Sequence, residues 1–357
     1  MNMKVCMTSI TAAAAMLLSV SCSKYRAPKF PVERDGRWEI ISGELYVQVS
    51  DIWEYDSVLV VPSYDRQTKH ELGIYSKKTG RLLYSGINYG NGPGESLSGY
   101  RNTSLDGVMM SYYDFEKGRA LFVNVDSLMR GSYAYEEQSL EIPAETRVMQ
   151  NAGDNMILYM SNRSEYADTS SSRRFTLQEI STGKTVLSYD YFPIEDDAVC
   201  YRLYNFTYSL AISPDKSRFA VGTLWGAVLE TYSIGVDSIS RLYTGYFAEP
   251  EFDAVHLSLA ENEHTILGFR DLYAENDRLY AVYNGEHISS AEVERSSSLV
   301  FNDIAVLDWK GNPVELICTD YNIDHICYSA RDNAVYASVW DEDGVMYLAR
   351  LDLDRLD

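Results

Sequence analysis

The sequence predicts an all-β protein, a six-bladed β-propeller with four strands in each blade. Three observations support this: a repeated turn-and-strand segment, hairpins centred on glycine, and little helical periodicity. Roughly 320 residues follow the N-terminal leader and tether, which is too many for one ordinary core but suits a repeat architecture.

The repeat is a turn rich in Asp, Asn, Gly, Ser or Lys, followed by a short run of mostly apolar residues. The residues directly after the turns are spaced by 50, 48, 62, 60 and 56 positions. A period near 50 in an all-β pattern is typical of four-stranded propeller blades. In chain order these residues are Val58, Val108, Met156, Arg218, Arg278 and Ala334.

A second marker predicts where the outer strands of three blades lie. Apolar and polar residues alternate on both sides of Gly80, Gly183 and Gly311, as expected for hairpins in which glycine supplies a positive φ. We assign these hairpins to the third and fourth strands of blades one, three and five.

The ends of the chain predict how the ring closes. The C-terminal run MYLARLDLD supplies only the third strand of blade six, whereas WEIISGELYVQV at 38–49 has strand character and precedes blade one. We therefore expect the N-terminal segment to complete the last blade. The helix-like run HISSAEVERSSS at 287–298 is interpreted as a loop insertion within blade five.

The first 21 residues have the pattern of a secretory signal peptide. Lys4 precedes a short apolar run from Ile10 to Leu18, too short to span a membrane, and small residues then lead to Cys22. This arrangement resembles the lipobox of bacterial lipoproteins, although Leu18 lies four residues before the cysteine and not three. The resemblance implies acylation of Cys22 and cleavage before it; the alternative is cleavage and release.

Residues 22–36 are predicted to be the lipidated cysteine and a tether, and residues 37–357 the propeller. The segment 23–32 contains three basic residues, two prolines and no acidic residue, which favours an extended linker. The absence of acidic residues directly after Cys22 favours an anchor in the cell envelope that faces the periplasm.

The net charge and the cysteine content exclude some classes of partner and site. The net charge is −21, so we expect no nucleic-acid partner. Cys200, Cys318 and Cys327 remain after processing, so at least one thiol is free; Cys318 and Cys327 could pair, but buried unpaired thiols are favoured. The sequence has no CxxC or Cys/His cluster, so no metal site is predicted.

Several stretches together resemble the TolB-like six-bladed propeller lipoproteins, a family without a known function. They are NYGNGPGES at 88–96, LGFRDLYAENDRLYAVYNG at 267–285 and VLDWKGNPVEL at 306–316. The segment AISPDKSRFAVG is similar to the SPDG turn of such propellers, with Lys216 in place of glycine. The resemblance implies the fold and an envelope location, and it brings no reaction with it.

No catalytic set is recognisable in the sequence. A GxSxG elbow is absent, and the glycine-rich loop at 90–95 lacks the Lys-Ser/Thr and helix of a phosphate-binding loop. We expect a ligand site at the mouth of the central channel, where the connections between blades converge. Its candidate residues are Glu95, Arg101, Arg147, Asn205, Arg270 and Asn322. Alternatively, Arg270 simply pairs with Asp271 between blades.

These observations predict a monomeric, non-catalytic binding or scaffold propeller, without a cofactor, that recognises an envelope protein or glycan. The alternative is a metal-dependent hydrolase or lyase of the lactonase type, with a calcium ion held in the central channel.

Overall fold

The predicted hairpins form, and they close into a ring of six antiparallel sheets. The computed structural model describes residues 28–143, 146–161, 173–190, 209–247, 252–253, 258–259, 266–287 and 299–356. The first strand of each blade lines a central channel, and the strands then follow one another outward. The predicted six-bladed propeller with four-stranded blades is confirmed.

The strands of the first half have the following bounds. Before the first blade come β1 (Glu33–Asp35), β2 (Glu39–Ile40) and β3 (Gln48–Val49). Blade one contains β4 (Trp53–Tyr55), β5 (Val58–Tyr64), β6 (His70–Ser76) and β7 (Leu82–Asn88). Blade two contains β8 (Thr103–Asp106), β9 (Met109–Asp114), β10 (Arg119–Asn124) and β11 (Tyr135–Ser139), with the short helix α1 (Val125–Met129) after β10. Blade three contains β12 (Thr146–Asn151), β13 (Met156–Ser161), β14 (Phe175–Glu179) and β15 (Thr185–Tyr189).

The second half continues the pattern. Blade four contains β16 (Ser209–Ile212), β17 (Arg218–Gly222), β18 (Val228–Ile234) and β19 (Ile239–Tyr246). A small hairpin of β20 (Phe252–Asp253) and β21 (Ser258–Leu259) follows. Blade five contains β22 (Phe269–Ala274), β23 (Arg278–Tyr283), β24 (Asp303–Asp308) and β25 (Pro313–Cys318), and blade six contains β26 (Asn322–Ser329), β27 (Ala334–Trp340) and β28 (Met346–Asp352). Turns of 3-10 helix occupy Gly99–Arg101 and Leu353–Arg355.

Antiparallel pairing gives the ring two distinct faces. The turns between first and second strands and between third and fourth strands lie on one face, which we name the hairpin face. The turns between second and third strands, and the connections between blades, lie on the other, which we name the connection face.

The repeated turns set the phase of the blades. Each of the six predicted segments joins the first and second strands of one blade. Most of these turns need a residue with positive φ, which explains their Asp, Asn, Gly and Lys content. The residues are Asp56, Gly107, Asn155, Lys216 and Asn333. The hairpins around Gly80, Gly183 and Gly311 also join third and fourth strands, as predicted.

The N-terminal segment closes the ring. Strand β2 pairs antiparallel with β28 as the outermost strand of blade six. Ile41 N then donates to Leu348 O at 2.9 Å, and Leu45 N donates to Met346 O at 2.8 Å. Strand β3 pairs with β5 and so begins the innermost strand of blade one. The predicted closure is therefore confirmed.

An additional strand precedes the closing segment. Strand β1 pairs in parallel with β25 on the outer edge of blade five, and Phe30 packs against Tyr283 with ring centroids 6.3 Å apart. These residues fall within the range 22–36 that was expected to be a tether. Val32 O accepts from Leu316 N at 2.9 Å, so the chain is attached to the propeller before residue 37.

The seam between blades one and six is held by an apolar core and a buried lysine. Val49, Ile52 and Leu348 belong to one buried cluster that spans both blades. Lys77, with only 8% of its side chain exposed, places Nζ 2.5 Å from Glu54 and 2.6 Å from Asp332. Apolar burial and satisfied charge therefore join the first and last blades.

Three further features bear on the predictions. Cys318 and Cys327 are free thiols, and Cys327 is buried, whereas Cys200 lies outside the described residues. The proposed insertion at 287–298 also lies outside them, apart from His287. Within the described ranges, no helix is long and apolar enough to cross a membrane.

Substituting Gly80 tests the contact between blade one and the closing segment. A methyl group at Gly80 would overlap the carbonyl oxygen of Ile41, whereas one at Gly183, in the equivalent turn of blade three, meets nothing within 4 Å. Both glycines have positive φ, 59° and 67°, so each alanine loses about 1 kcal/mol from backbone strain. We expect Gly80→Ala to lower the free energy of unfolding by at least about 2 kcal/mol more than Gly183→Ala in urea denaturation. Equal losses would contradict the close packing.

Deleting residues 38–49 tests the closure itself. The deletion removes the fourth strand of blade six and exposes the edge of β28, so we expect the melting temperature to fall by about 10 °C or more. Differential scanning calorimetry measures this, with deletion of residues 23–27 as the control. An unchanged melting temperature would show that the ring closes without this segment.

Candidate functional site

The innermost strands of all six blades surround the central channel. It encloses a cavity of about 630 Å³, a volume typical of small-ligand sites. A polar or charged residue from every blade contributes to the lining. In blade order, examples are Asp51, Arg101, Gln150, Ser209, Asp271 and His325.

Two bulges arrange the charges between blades five and six. The pairing register shifts between Phe269 and Asp271 in β22 and between Ile323 and His325 in β26. A bulge bends the strand and redirects the neighbouring side chains. The two residues at the shifts, Arg270 and Asp324, pair with each other at 2.5 Å, and the residues that follow them line the channel.

His325 lies among carboxylates. Its Nδ1 is 3.7 Å from Asp271 Oδ2 and its Nε2 is 3.9 Å from Asp324 Oδ2. Asp271 Oδ2 also accepts from Ile326 N at 2.9 Å, which fixes the carboxylate across the two blades. Burial opposes protonation of the imidazole, but the charges of Asp324, Asp271 and Asp51 outweigh burial and raise the pKa of His325 to about 9. The imidazole is therefore a cation at neutral pH.

Asp51 approaches the same cluster from blade one. It lies in the break between β3 and β4, and its Oδ1 accepts from Ile52 N at 2.8 Å. Burial and the nearby charge of Asp271 raise the pKa of Asp51 to about 8, although His325 partly opposes the shift. Perturbed titratable groups gathered in a cavity are typical of binding and catalytic sites.

The hairpin-face end of the channel is crossed by an ion pair. Lys216, at the turn of blade four, places Nζ 3.5 Å from Asp106 Oδ1 of blade two. Because blade three separates these two blades in the ring, the pair reaches across the channel mouth. The lysine replaces the glycine usual in this kind of turn and retains its positive φ, 59°.

The structure distributes the predicted site residues among several roles. Arg101 lines the channel at its connection-face end. Arg270 pairs between blades, as in the alternative interpretation, but its partner is Asp324 and not Asp271. The side chain of Arg147 and the whole of Asn205 lie outside the described residues.

The other two predicted residues make local contacts. Glu95 accepts from Gly92 N at 2.6 Å within its own loop. Asn322 accepts from Phe301 N at 2.8 Å and donates to Leu299 O at 3.3 Å. Both side chains therefore order loops of the connection face.

The site residues predicted from the sequence do not include Asp51, Asp271 and His325, because the predicted residues were those of the connections between blades. A signal was present: each is a charged or titratable residue in, or shortly before, the first strand of a blade. Once the blade phase is known, such positions are candidates for the channel wall.

No arrangement typical of metal or nucleophilic catalysis is found among the described residues. In these parts of the chain, no group of three or more His, Cys, Asp or Glu side chains is placed to hold a metal ion. The described contacts of the His325 ring are with Asp271 and Asp324, whereas a nucleophile would need a hydroxyl or thiol beside it.

Solved propeller structures are similar to this fold at low sequence identity. A protein of Bacteroides fragilis NCTC 9343 that is described as exported aligns with a TM-score of 0.57 and 12% identity, over 92% of this chain and 98% of that chain. The WD40 repeats of RRP9 align with a TM-score of 0.51 and 8% identity, over 88% and 96% of the two chains. U3-55K aligns with a TM-score of 0.50 and 9% identity, over 88% and 98%. At these identities the similarity shows the fold alone.

Among curated proteins, none matches the sequence closely enough to count as a relative. The model of the TolB-like 6-blade propeller-like family, by contrast, matches residues 38–331. The match begins at the closing segment and continues through the first strand of blade six. The chain therefore belongs to the TolB-like 6-blade propeller-like family.

Proposed function

We propose that this chain is an exported lipoprotein that binds a protein or glycan partner at its central channel and catalyses no reaction. The channel carries this proposal. Its cavity of about 630 Å³ is large enough for a compact polar ligand or for a group inserted by a larger partner.

The chemistry of the lining supports binding over catalysis. Around His325 the carboxyl groups come from three blades, and the two at salt-bridge distance, Asp271 and Asp324, hold the imidazole as a fixed cation. A general base must lose and regain its proton near the working pH, and a pKa of about 9 is poorly suited to that task at neutral pH.

The N-terminus supports anchoring at the envelope. Seven residues separate Cys22 from Phe30, which is docked on blade five. An acyl chain on Cys22 would therefore keep the outer edge of blade five within about 28 Å of the membrane. This attachment is at the rim of the ring and not at either channel mouth.

Blocking the channel tests this function. Immobilised mature protein should retain an envelope component, identified by mass spectrometry and sugar analysis. Gln150→Trp fills the channel from blade three, so it should retain at least about tenfold less of that component. Asp237→Trp introduces the same side chain at an exposed turn of blade four and should retain as much as the wild type. Equal retention by Gln150→Trp, or no retention by any variant, would contradict the proposal.

A further inference from the structure

The glycine-rich loop at 89–96 is a rigid part of the scaffold that does not line the central channel. It leads from β7 toward the turn of 3-10 helix before β8. Lys117 Nζ, from the turn after β9, donates to the carbonyl oxygens of Gly90, Gly92 and Glu95 at 3.0 to 3.1 Å. Three charge-assisted hydrogen bonds to one short loop hold its backbone in a single arrangement.

The strand that enters the loop is strained. Ile87, near the end of β7, has a φ of 59°, which is rare for a β-branched residue, and it is only 3% exposed. Strain of this kind persists only where the surrounding structure imposes it, and it is concentrated at binding and catalytic sites. The position of the loop is therefore fixed both by its own hydrogen bonds and by the strand before it.

Two neighbouring tyrosine rings pack on the loop from blade two. Tyr133 Oη donates to Gly94 O, and a methyl group at Gly94 would lie 2.6 Å from Cε1 of Tyr135, so glycine permits this close approach. The ring centroids are 5.3 Å apart and the ring planes differ by 33°. Even so, Tyr133 is 39% exposed and Tyr135 is 41% exposed. Each tyrosine is thus fixed against the loop and still open to solvent.

Tyr84 of β7 completes a groove between the outer strands of blades one and two. Burial and then the nearby hydroxyl group of Tyr84 raise the pKa of Tyr133, and a methyl group at Gly86 would overlap the Tyr84 ring, so this ring lies along its own strand. Arg119 and Glu137, the charged side chains of blade two beside the tyrosines, pair with each other at 2.7 Å. The groove therefore offers aromatic rings and hydroxyl groups, and its charges are paired.

We propose that this groove binds a neutral saccharide chain, with the exposed faces of Tyr133 and Tyr135 stacked on sugar rings. The C–H groups on the face of a pyranose pack on an aromatic ring, and tyrosine combines this contact area with a polar hydroxyl group. The paired charges favour an uncharged ligand, and the net charge of −21 repels an anionic one. The site lies outside the channel and is additional to the proposed function.

The character of the groove favours a saccharide over a protein. The anchors of a protein interface are fully desolvated in a well-packed pocket, whereas these tyrosines form a half-exposed platform. Asn91 at the tip of the loop is exposed, and its amide group can donate to and accept from sugar hydroxyl groups. Because the loop is rigid before binding, the protein loses little freedom when a flexible chain docks on it.

Saturation-transfer NMR and calorimetric titration with cellotetraose and tetra-N-acetylchitotetraose test the groove. Both are uncharged, and their equatorial substituents leave C–H groups on the ring faces. We expect at least one of them to bind the mature chain with a dissociation constant of about 1 mM or lower. Tyr133→Ala and Tyr135→Ala should each bind at least about tenfold more weakly, whereas Tyr135→Phe keeps the ring and should stay within about threefold.

Two controls separate the groove from the rest of the surface. Tyr46→Ala removes a tyrosine that is 73% exposed in the segment that closes blade six, and it should bind the tetrasaccharides as the wild type does. Gln150→Trp fills the channel and should also bind as the wild type, because the groove lies outside the channel. The melting temperatures of the two groove alanine variants should remain close to that of the wild type, since both rings are half exposed.

Four results would overturn the saccharide groove. They are no binding of either tetrasaccharide up to roughly 10 mM, binding by both groove alanine variants that equals the wild type, loss of binding in Gln150→Trp, and capture of an envelope protein that depends on Tyr135 without any saccharide binding. The first result, together with channel-dependent capture of an envelope component, would refute the groove and leave the proposed function standing.

Discussion

The pairing of residues 39–45 with β28 closes the ring of blades. A propeller blade without its fourth strand leaves an open edge, and a ring without a seam contact has no fixed channel. The segment that closes blade six continues directly into β3 and β4, the innermost strand of blade one. The same stretch therefore closes the ring and carries Asp51 to the channel wall, beside residues from blades five and six.

Buried charge serves two different purposes around the ring. Between blades three and four, Arg174 and Glu230 are 0% and 1% exposed and pair directly, and Arg174 Nη1 also donates to Tyr232 Oη at 2.8 Å. Thr244 Oγ1 lies 3.5 Å from the same carboxylate. This pair links the two blades, since Arg174 belongs to blade three and Glu230 to blade four. Separating the blades or removing either partner would leave a buried charge without compensation. Asp51, Asp271 and His325, by contrast, line the open central cavity.

The sequence predicted the fold in considerable detail because the governing signals are local. A turn with positive φ and a strand with alternating polarity each depend on a few adjacent residues. These local patterns therefore predict the phase of all six blades and the hairpins at Gly80, Gly183 and Gly311. Closure also followed, since MYLARLDLD leaves one strand missing. The parallel strand β1 could not be predicted from the sequence. Its short run ERD has no alternation of apolar and polar residues, and it forms a strand only because the edge of β25 is there to pair with.

The candidate site was harder to predict for a physical reason. Which side chains of an inner strand face the channel depends on bulges, and a shift of one residue reverses every side chain after it. The shifts beside Arg270 and Asp324 send these two residues into an interblade pair and turn Asp271 and His325 toward the cavity. Arg101 precedes its strand, where no bulge intervenes, and it lines the channel.

We infer that ring closure brings carboxyl groups from three blades around His325. Nuclear magnetic resonance titration of the His325 ring protons in the native protein tests it most directly. The closed ring predicts a pKa of about 9, raised from the ordinary value of 6.5 by Asp324, Asp271 and Asp51 against the opposing effect of burial. The imidazole should then remain charged throughout the neutral range. A pKa of His325 at or below 6.5 would show that the carboxyl groups do not gather around this residue and would contradict this arrangement.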